Sequence, residues 1–212
     1  MFVGSILLFL IGVCLGSFVN ALVWRVHQQS RPKRAKSKSS QLSNNRNLSI
    51  INGRSMCTHC HHELAPLDLI PLVSWLALRG KCRYCKKPIS DSPIVELCGG
   101  FIFIVSYLSW PHLSDSGQWL LLATWLAASV GLLALAIYDI KWQLLPNRIL
   151  YPTFFVALAG RVGYLVFYSP NKLSDFITLV LSIGVASGLF WIIFTLSDGK
   201  WIGYGDVRLG LV

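Results

Sequence analysis

Charge is scarce in this 212-residue chain: Asp, Glu, Lys and Arg make up 13% of it, against 54% hydrophobic residues and a mean hydropathy of +0.56. So little charge excludes a disordered chain and an ordinary water-soluble enzyme. Acids are scarcest, 9 against 19 Lys and Arg, yet the resulting net charge of +10 is local. Residues 25–91 hold 13 of the 19 basic residues and only three acids (Glu63, Asp68 and Asp91), so this span carries the +10 and the remainder is neutral. Within it, residues 28–52 contain no aromatic side chain. Stacking on nucleic acid is therefore not expected, and the charge reads as a topogenic cluster facing anionic membrane lipid. No glycine-rich nucleotide fingerprint on a strand-to-helix unit occurs. No basic segment precedes the first apolar run, whose length exceeds that of a signal peptide, so it reads as a retained helix.

Long apolar runs are abundant. Five, over residues 2–24, 93–110, 118–140, 148–168 and 175–196, have the length and composition of membrane-spanning helices, and a sixth begins near Trp201. The expected fold is thus an all-α polytopic membrane protein with five full transmembrane helices and the start of a sixth. It divides into a first helix (1–24), a basic loop with a four-cysteine module (25–92) and a membrane core (93–212). The positive-inside rule places residues 25–92 in the cytoplasm. Threading the remaining helices puts Asp139 and Asp206 at the cytoplasmic face. Arg161, inside the fourth run, must snorkel or find a structural partner.

Two clusters carry chemistry. Cys57-Thr-His-Cys60 and Cys82-Arg-Tyr-Cys85 are two knuckles 21 residues apart, each turning two thiolates toward a common point. Four thiolates fill a tetrahedron around zinc, which makes the site structural rather than catalytic. Two disulfides are the alternative, disfavoured in a reducing cytoplasm. His59, His61 or His62 are substitute ligands or solvated neighbours, and Cys14 and Cys98 read as packing residues. The second cluster is the pair of acids at the membrane face. Asp139 closes an apolar run, and Asp206 lies in Gly203-Tyr204-Gly205-Asp206. Two carboxylates that meet share a proton and perform acid and base chemistry on a peptide bond. The bland alternative makes Asp206 a helix cap and pairs Asp139 with Lys141.

These residues, with Gly16-Ser17-Phe18-x-Asn20, Asp68-Leu-Ile-Pro71, Arg79-Gly80-x-Cys82, Val95-Glu96-Leu97, Leu145-Pro146-Asn147 and Asp206-Val-Arg208-Leu209, stand in an order that resembles the type IV prepilin peptidases, membrane aspartic proteases of the Gly-x-Gly-Asp type. The resemblance implies an inner-membrane endopeptidase of type IV pilus and type II secretion systems that removes the basic leader of prepilins and pseudopilins, with Asp139 and Asp206 as its catalytic pair. It also implies methylation of the new N-terminus from S-adenosylmethionine. Glu96 is then a candidate for donor or substrate contact, or a carboxylate that favours a helix start; Asp68 is an organiser of the zinc module. Arg208 stands where the family usually has lysine. Family members continue through further helices where six residues follow Asp206 here, so the peptidase core is expected to be incomplete. The rival readings are a noncatalytic zinc-module anchor and a proton-coupled transporter using the two acids.

Overall fold

The computed structural model describes residues 2–30, 55–57, 59–60, 62–89, 93–111, 113, 115–201 and 203–211. The basic stretch at 31–54, His61, and Ser90 and Asp91 of the module's end lie outside the described residues. Among those described, the regular structure is helical: α1 (Phe2–Ser30), a 3-10 turn (Pro66–Leu69), α2 (Val73–Ala77), α3 (Ile94–Ser109), α4 (Ser116–Trp142), α5 (Asn147–Phe167), α6 (Lys172–Leu196) and α7 (Tyr204–Leu209). Four of these, α1, α4, α5 and α6, are long and apolar enough to cross a membrane, as expected for a multi-pass membrane protein. The second expected span differs. α3 has 16 residues, about 24 Å at 1.5 Å per residue, short of the ~30 Å hydrocarbon thickness. α1 departs the other way, continuing past Trp24 through 29 residues. Its last turn is closed by Ser30, whose hydroxyl donates to the carbonyls of Val26 (3.0 Å) and His27 (2.9 Å).

The chain divides into two compact units, Met1–Val105 and Ser106–Val212. In the first, α1 and α3 pack antiparallel along a seam of glycines. A Cβ on Gly12 would collide with the carbonyl of Gly99, and one on Gly16 would lie 2.7 Å from the Cα of Glu96. Without hydrophobic drive between helices in lipid, such backbone contact is what holds them. Gly99 and Gly100, unremarked in the sequence, are the other half of the seam.

In the second unit α4 and α5 form an antiparallel hairpin built on glycine against threonine. Gly131 receives the side chain of Thr153 and Gly160 that of Thr124. Each threonine hydroxyl donates to its own helix, Thr153 to the Ile149 carbonyl and Thr124 to Leu120, both at 2.8 Å. Each glycine thus faces both the hydroxyl oxygen and the methyl of the opposing threonine, leaving no room for a side chain of its own. α6 has no buried residue along its length and is long and apolar enough to cross a membrane. α7 meets it where Gly210 approaches the backbone of Ala186 and Ser187. Arg161, for which snorkelling or a structural partner was expected, has its guanidinium 5.5 Å from the ring centre of Tyr164.

Candidate functional site

The cysteine module is one local fold used twice. Cys57 N–H donates to the His62 carbonyl (3.0 Å) and Cys82 N–H to that of Lys87 (2.9 Å). A single antiparallel bridge closes each loop, Met56 to Glu63 and Lys81 to Pro88. Both loops turn their thiols inward. The four sulfurs of Cys57, Cys60, Cys82 and Cys85 lie within 4.8 Å of one another, with Cys57 and Cys85 3.8 Å apart, and all four are free thiols. They can hold a metal ion.

The thiols are prepared unequally. The backbone N–H of Cys85, then that of Tyr84 and the neighbouring thiols, hold Cys82 down at about 7 against the opposition of burial. At Cys60 the N–H of His62 also pulls down, but burial and the hydrogen bonds and charge of Cys57 and Cys85 together outweigh it, raising the thiol to about 11. Among the histidines, His62 stacks on Tyr84 with ring centres 3.7 Å apart and is held by the Glu63 carbonyl at 2.6 Å. It is a packing residue, and His59 is exposed. Asp68 organises the module as expected: its side chain, 3% exposed, pairs with Arg83 Nε at 2.8 Å and accepts from the Tyr84 hydroxyl at 3.5 Å. This ties the 3-10 turn to the second knuckle.

Glu96 is placed at the first turn of α3, seated on α1 through Gly16. Its Oε2 accepts the N–H of Leu72 at 2.6 Å, a bond not foreseen from the sequence. Leu72 has φ 58° and ψ −50°, a sparsely populated conformation that costs on the order of 1–3 kcal/mol. A charge-assisted bond to a carboxylate helps offset that cost.

In the second unit, Asp139 is exposed near the C-terminal end of α4. There its carbonyl accepts from Gln143 N–H at 2.7 Å, and Gln143 ends the helix in the left-handed conformation. Asp206 is half-buried in the first turn of α7, where Oδ2 accepts the N–H of Gly203 at 3.0 Å. Asp206 thereby supplies one half of a capping box, and Gly203, with no side chain, leaves the other half unformed. Two further contacts dock the segment on the turn between α4 and α5. Gly205 packs against Leu145, whose Cβ would stand 3.2 Å from an added methyl, and Arg208 Nη1 donates to Asn147 Oδ1 at 2.9 Å. Two sequence motifs 61 residues apart thus interlock, and the acids share one end of the unit. Their carboxylates are not hydrogen-bonded to each other. The lysine alternative for Asp139 is weakened, because the Lys141 ammonium lies over the Trp142 ring at 5.9 Å.

Comparison with known proteins accounts for both units. Residues 10–110 match the bacterial peptidase A24 N-terminal domain, and residues 125–212 match the type IV leader peptidase family. The "Type 4 prepilin-like proteins leader peptide-processing enzyme" of Escherichia coli is 32% identical over 93% of this chain and 71% of its own length. Proteins named "Prepilin leader peptidase/N-methyltransferase" from Pseudomonas aeruginosa and Aeromonas hydrophila are each 31% identical, over 94% and 96% of this chain and 68% and 69% of theirs. No solved structure matches. Matched in order through both units, and aligned with relatives over more than two thirds of their length, the chain belongs to the type IV leader peptidase family, and with it to the peptidases.

Proposed function

We propose that the chain is an aspartic endopeptidase that removes the leader of prepilins and pseudopilins at the cytoplasmic face of the bacterial inner membrane, with residues 25–92 cytoplasmic and residues 93–212 as the peptidase core. The observation that supports it best is the docking of the Gly203–Asp206 segment on the α4–α5 turn through Arg208 and Asn147, which puts Asp206 at the end of the unit that carries Asp139. Asp139, exposed, is reachable by water and serves as the base. Asp206, when protonated, donates to the scissile carbonyl and then to the leaving amine. Two like charges brought together by substrate cannot both stay ionised, so one proton is shared. Gly203, exposed and with only Asp206 and Gly205 near its missing side chain, leaves room for an extended substrate backbone beside Asp206.

Zinc is the metal that four thiolates of this geometry suit, and its role is structural because no coordination position stays open. The relatives' name supports a second activity, methylation of the new N-terminal amine. S-adenosylmethionine supplies the activated methyl group for it, and Glu96 is the candidate contact.

The test co-expresses the full chain with a prepilin bearing a basic leader in a host without such a peptidase, and reads the product's N-terminus by mass spectrometry. Asp139→Asn and Asp206→Asn each abolish processing, a loss of about a hundredfold or more, while the protein still inserts in the membrane. Processing that survives either substitution overturns the catalytic pair. Loss of a pH-coupled ion flux instead of cleavage would favour the transporter reading.

A further inference from the structure

Depth within the membrane can be counted along α1. The helix is long and apolar enough to cross a bilayer, and its uncharged stretch ends with Trp24, the residue before Arg25. An indole followed by a guanidinium is what a membrane boundary attracts. Gly16 lies eight residues before Trp24, about 12 Å further into the apolar stretch. α3 begins at that level, since a Cβ on Gly16 would stand 2.7 Å from the Cα of Glu96. Glu96 hands the level on to the cysteine module: its Oε2 accepts the N–H of Leu72, the residue that opens α2. α2 is therefore held at the height of the apolar part of α1, a side chain's reach from Glu96, and not beyond the charged end.

The module's inner side agrees with that depth. A cleft runs between it and α1, lined by Ser17, Asn20 and Trp24 of α1 and by Ser74, Trp75 and Leu78 of the segment around α2. Asn20 and Arg25, which border the same cleft, are 6% exposed each. In lipid, polar groups on a helix have to be covered by protein, and the module supplies that cover from Ser17 to Arg25. Trp75 is fixed in this wall by Gly80: at φ +69°, a Cβ there would fall 3.1 Å from the indole Cζ2.

The outer side of the module is apolar too. Val73 and Leu76, three residues apart on one side of α2, are 60% and 67% exposed, and Leu67 on the 3-10 turn is 66% exposed. None of the three lines the cleft. A module surrounded by water would present them as a bare apolar patch. We propose that this face is a lipid-contact surface: acyl chains of the adjoining leaflet cover Leu67, Val73 and Leu76, so the cysteine module is sunk into the membrane and not perched on it. The length of α3 calls for the same arrangement. At 16 residues it falls short of the hydrocarbon thickness, and α2, joined to its first turn, makes up the apolar height on that side. The exposed Lys81, Lys86 and Lys87 of the second knuckle match the anionic headgroups at the boundary. Such depth is independent of which side of the membrane the module occupies.

The test reconstitutes the full chain, metal bound, in nanodiscs of phosphatidylethanolamine and phosphatidylglycerol. A phospholipid with a diazirine partway along its acyl chain is activated by light, and labelled peptides are mapped by mass spectrometry. Label is expected on residues 67–76 as well as on α1, with 67–76 protected from hydroxyl radicals generated in the water. Leu76→Gln should lower labelling of that peptide several-fold and raise its oxidation, while metal content, read by elemental analysis, stays that of the wild type. Val73→Thr, a gentler change, should act in the same direction to a lesser degree. Label confined to the long helices, with 67–76 freely oxidised, would overturn the proposal and leave the module in water. Protection of 67–76 without lipid label would assign the face to a protein surface and overturn it equally.

Discussion

The two units solve the problem of holding chemistry at a membrane in different ways. In the first, polar and charged groups are gathered by a small module whose own apolar content is poor: Leu67, Val73 and Leu76 are all 60% exposed or more. The module is organised by four thiols and by the Asp68–Arg83 ion pair. In the second, no inserted module exists. The acids sit on helix ends, and geometry comes from helix packing, the Gly131–Thr153 and Gly160–Thr124 contacts setting the α4–α5 register. The difference teaches that the cysteine module's order rests on a ligand cluster and that of the long helices in both units on close approach at glycine, so each should fail under its own kind of insult.

Metal removal is the sharpest way to separate them. A strong chelator, or Cys82→Ser, should unfold residues 55–89, because metal binding and folding of such a module are one event, worth on the order of 10 kcal/mol. Limited proteolysis should then cut within the module and leave the helices of the second unit protected; protection throughout would break the contrast.

Acidity should act on the same unit. Metal requires thiolates, and Cys60, raised to about 11 in the metal-free module, must release a proton at neutral pH. Cys82 is depressed from 9.0 to about 7. Protons therefore begin to compete with metal for the Cys82 thiolate as pH falls through about 7. Metal affinity, measured by chelator competition at pH 8, 7 and 6, should drop at each step and most steeply below 7. A flat profile would deny that these thiols are the ligands.

Overpacking tests the other half of the comparison in both units. Gly12→Val places a methyl against the Gly99 carbonyl, and Gly160→Val against Thr124; each should cost about 3 kcal/mol. Thermal inactivation of the purified protein should show the loss. Pairing Gly160→Val with Thr124→Ala, which removes both the hydroxyl and the methyl that stand against Gly160, should recover part of it, whereas no backbone oxygen can be trimmed to rescue Gly12→Val. The smallest effect belongs to the interlocking motifs. Asn147→Ala removes the acceptor for Arg208 and should cost about 1 kcal/mol of α7 docking, read as faster hydrogen exchange in 204–209 and a several-fold loss of cleavage.

The helices and the thiol cluster were legible because their signals are local: an apolar run or a Cys-x-x-Cys loop announces itself within its own segment. What escaped was relational. The apolar run at 93–110 was legible, but not that its helix would stop at 16 residues, from Ile94 to Ser109. Glu96 reads from sequence as a favourable first-turn acid, and only folding brings Leu72, 24 residues away, to its carboxylate. The glycine and threonine seams, too, consist of residues whose spacing means nothing until a second helix faces them. Asp206 illustrates the reverse: its capping bond and its candidate catalytic place are compatible, so the two readings were never true rivals.

Gly12, Gly16, Asn20 and Trp24 recur every four residues along α1, so the face that joins α3 continues directly into the face that lines the cleft. Seam and cleft share a single angular phase, like marks on one shaft. One residue inserted between Gly16 and Asn20 would turn everything beyond it by about 100° while raising it only 1.5 Å, aiming Trp24 and Arg25 away from Glu96. An insertion of seven would nearly restore the aim while carrying Trp24 and Arg25 about 10 Å along the helix. How far these side chains stand from the seam and the direction in which they face are thus separately adjustable properties of one helix.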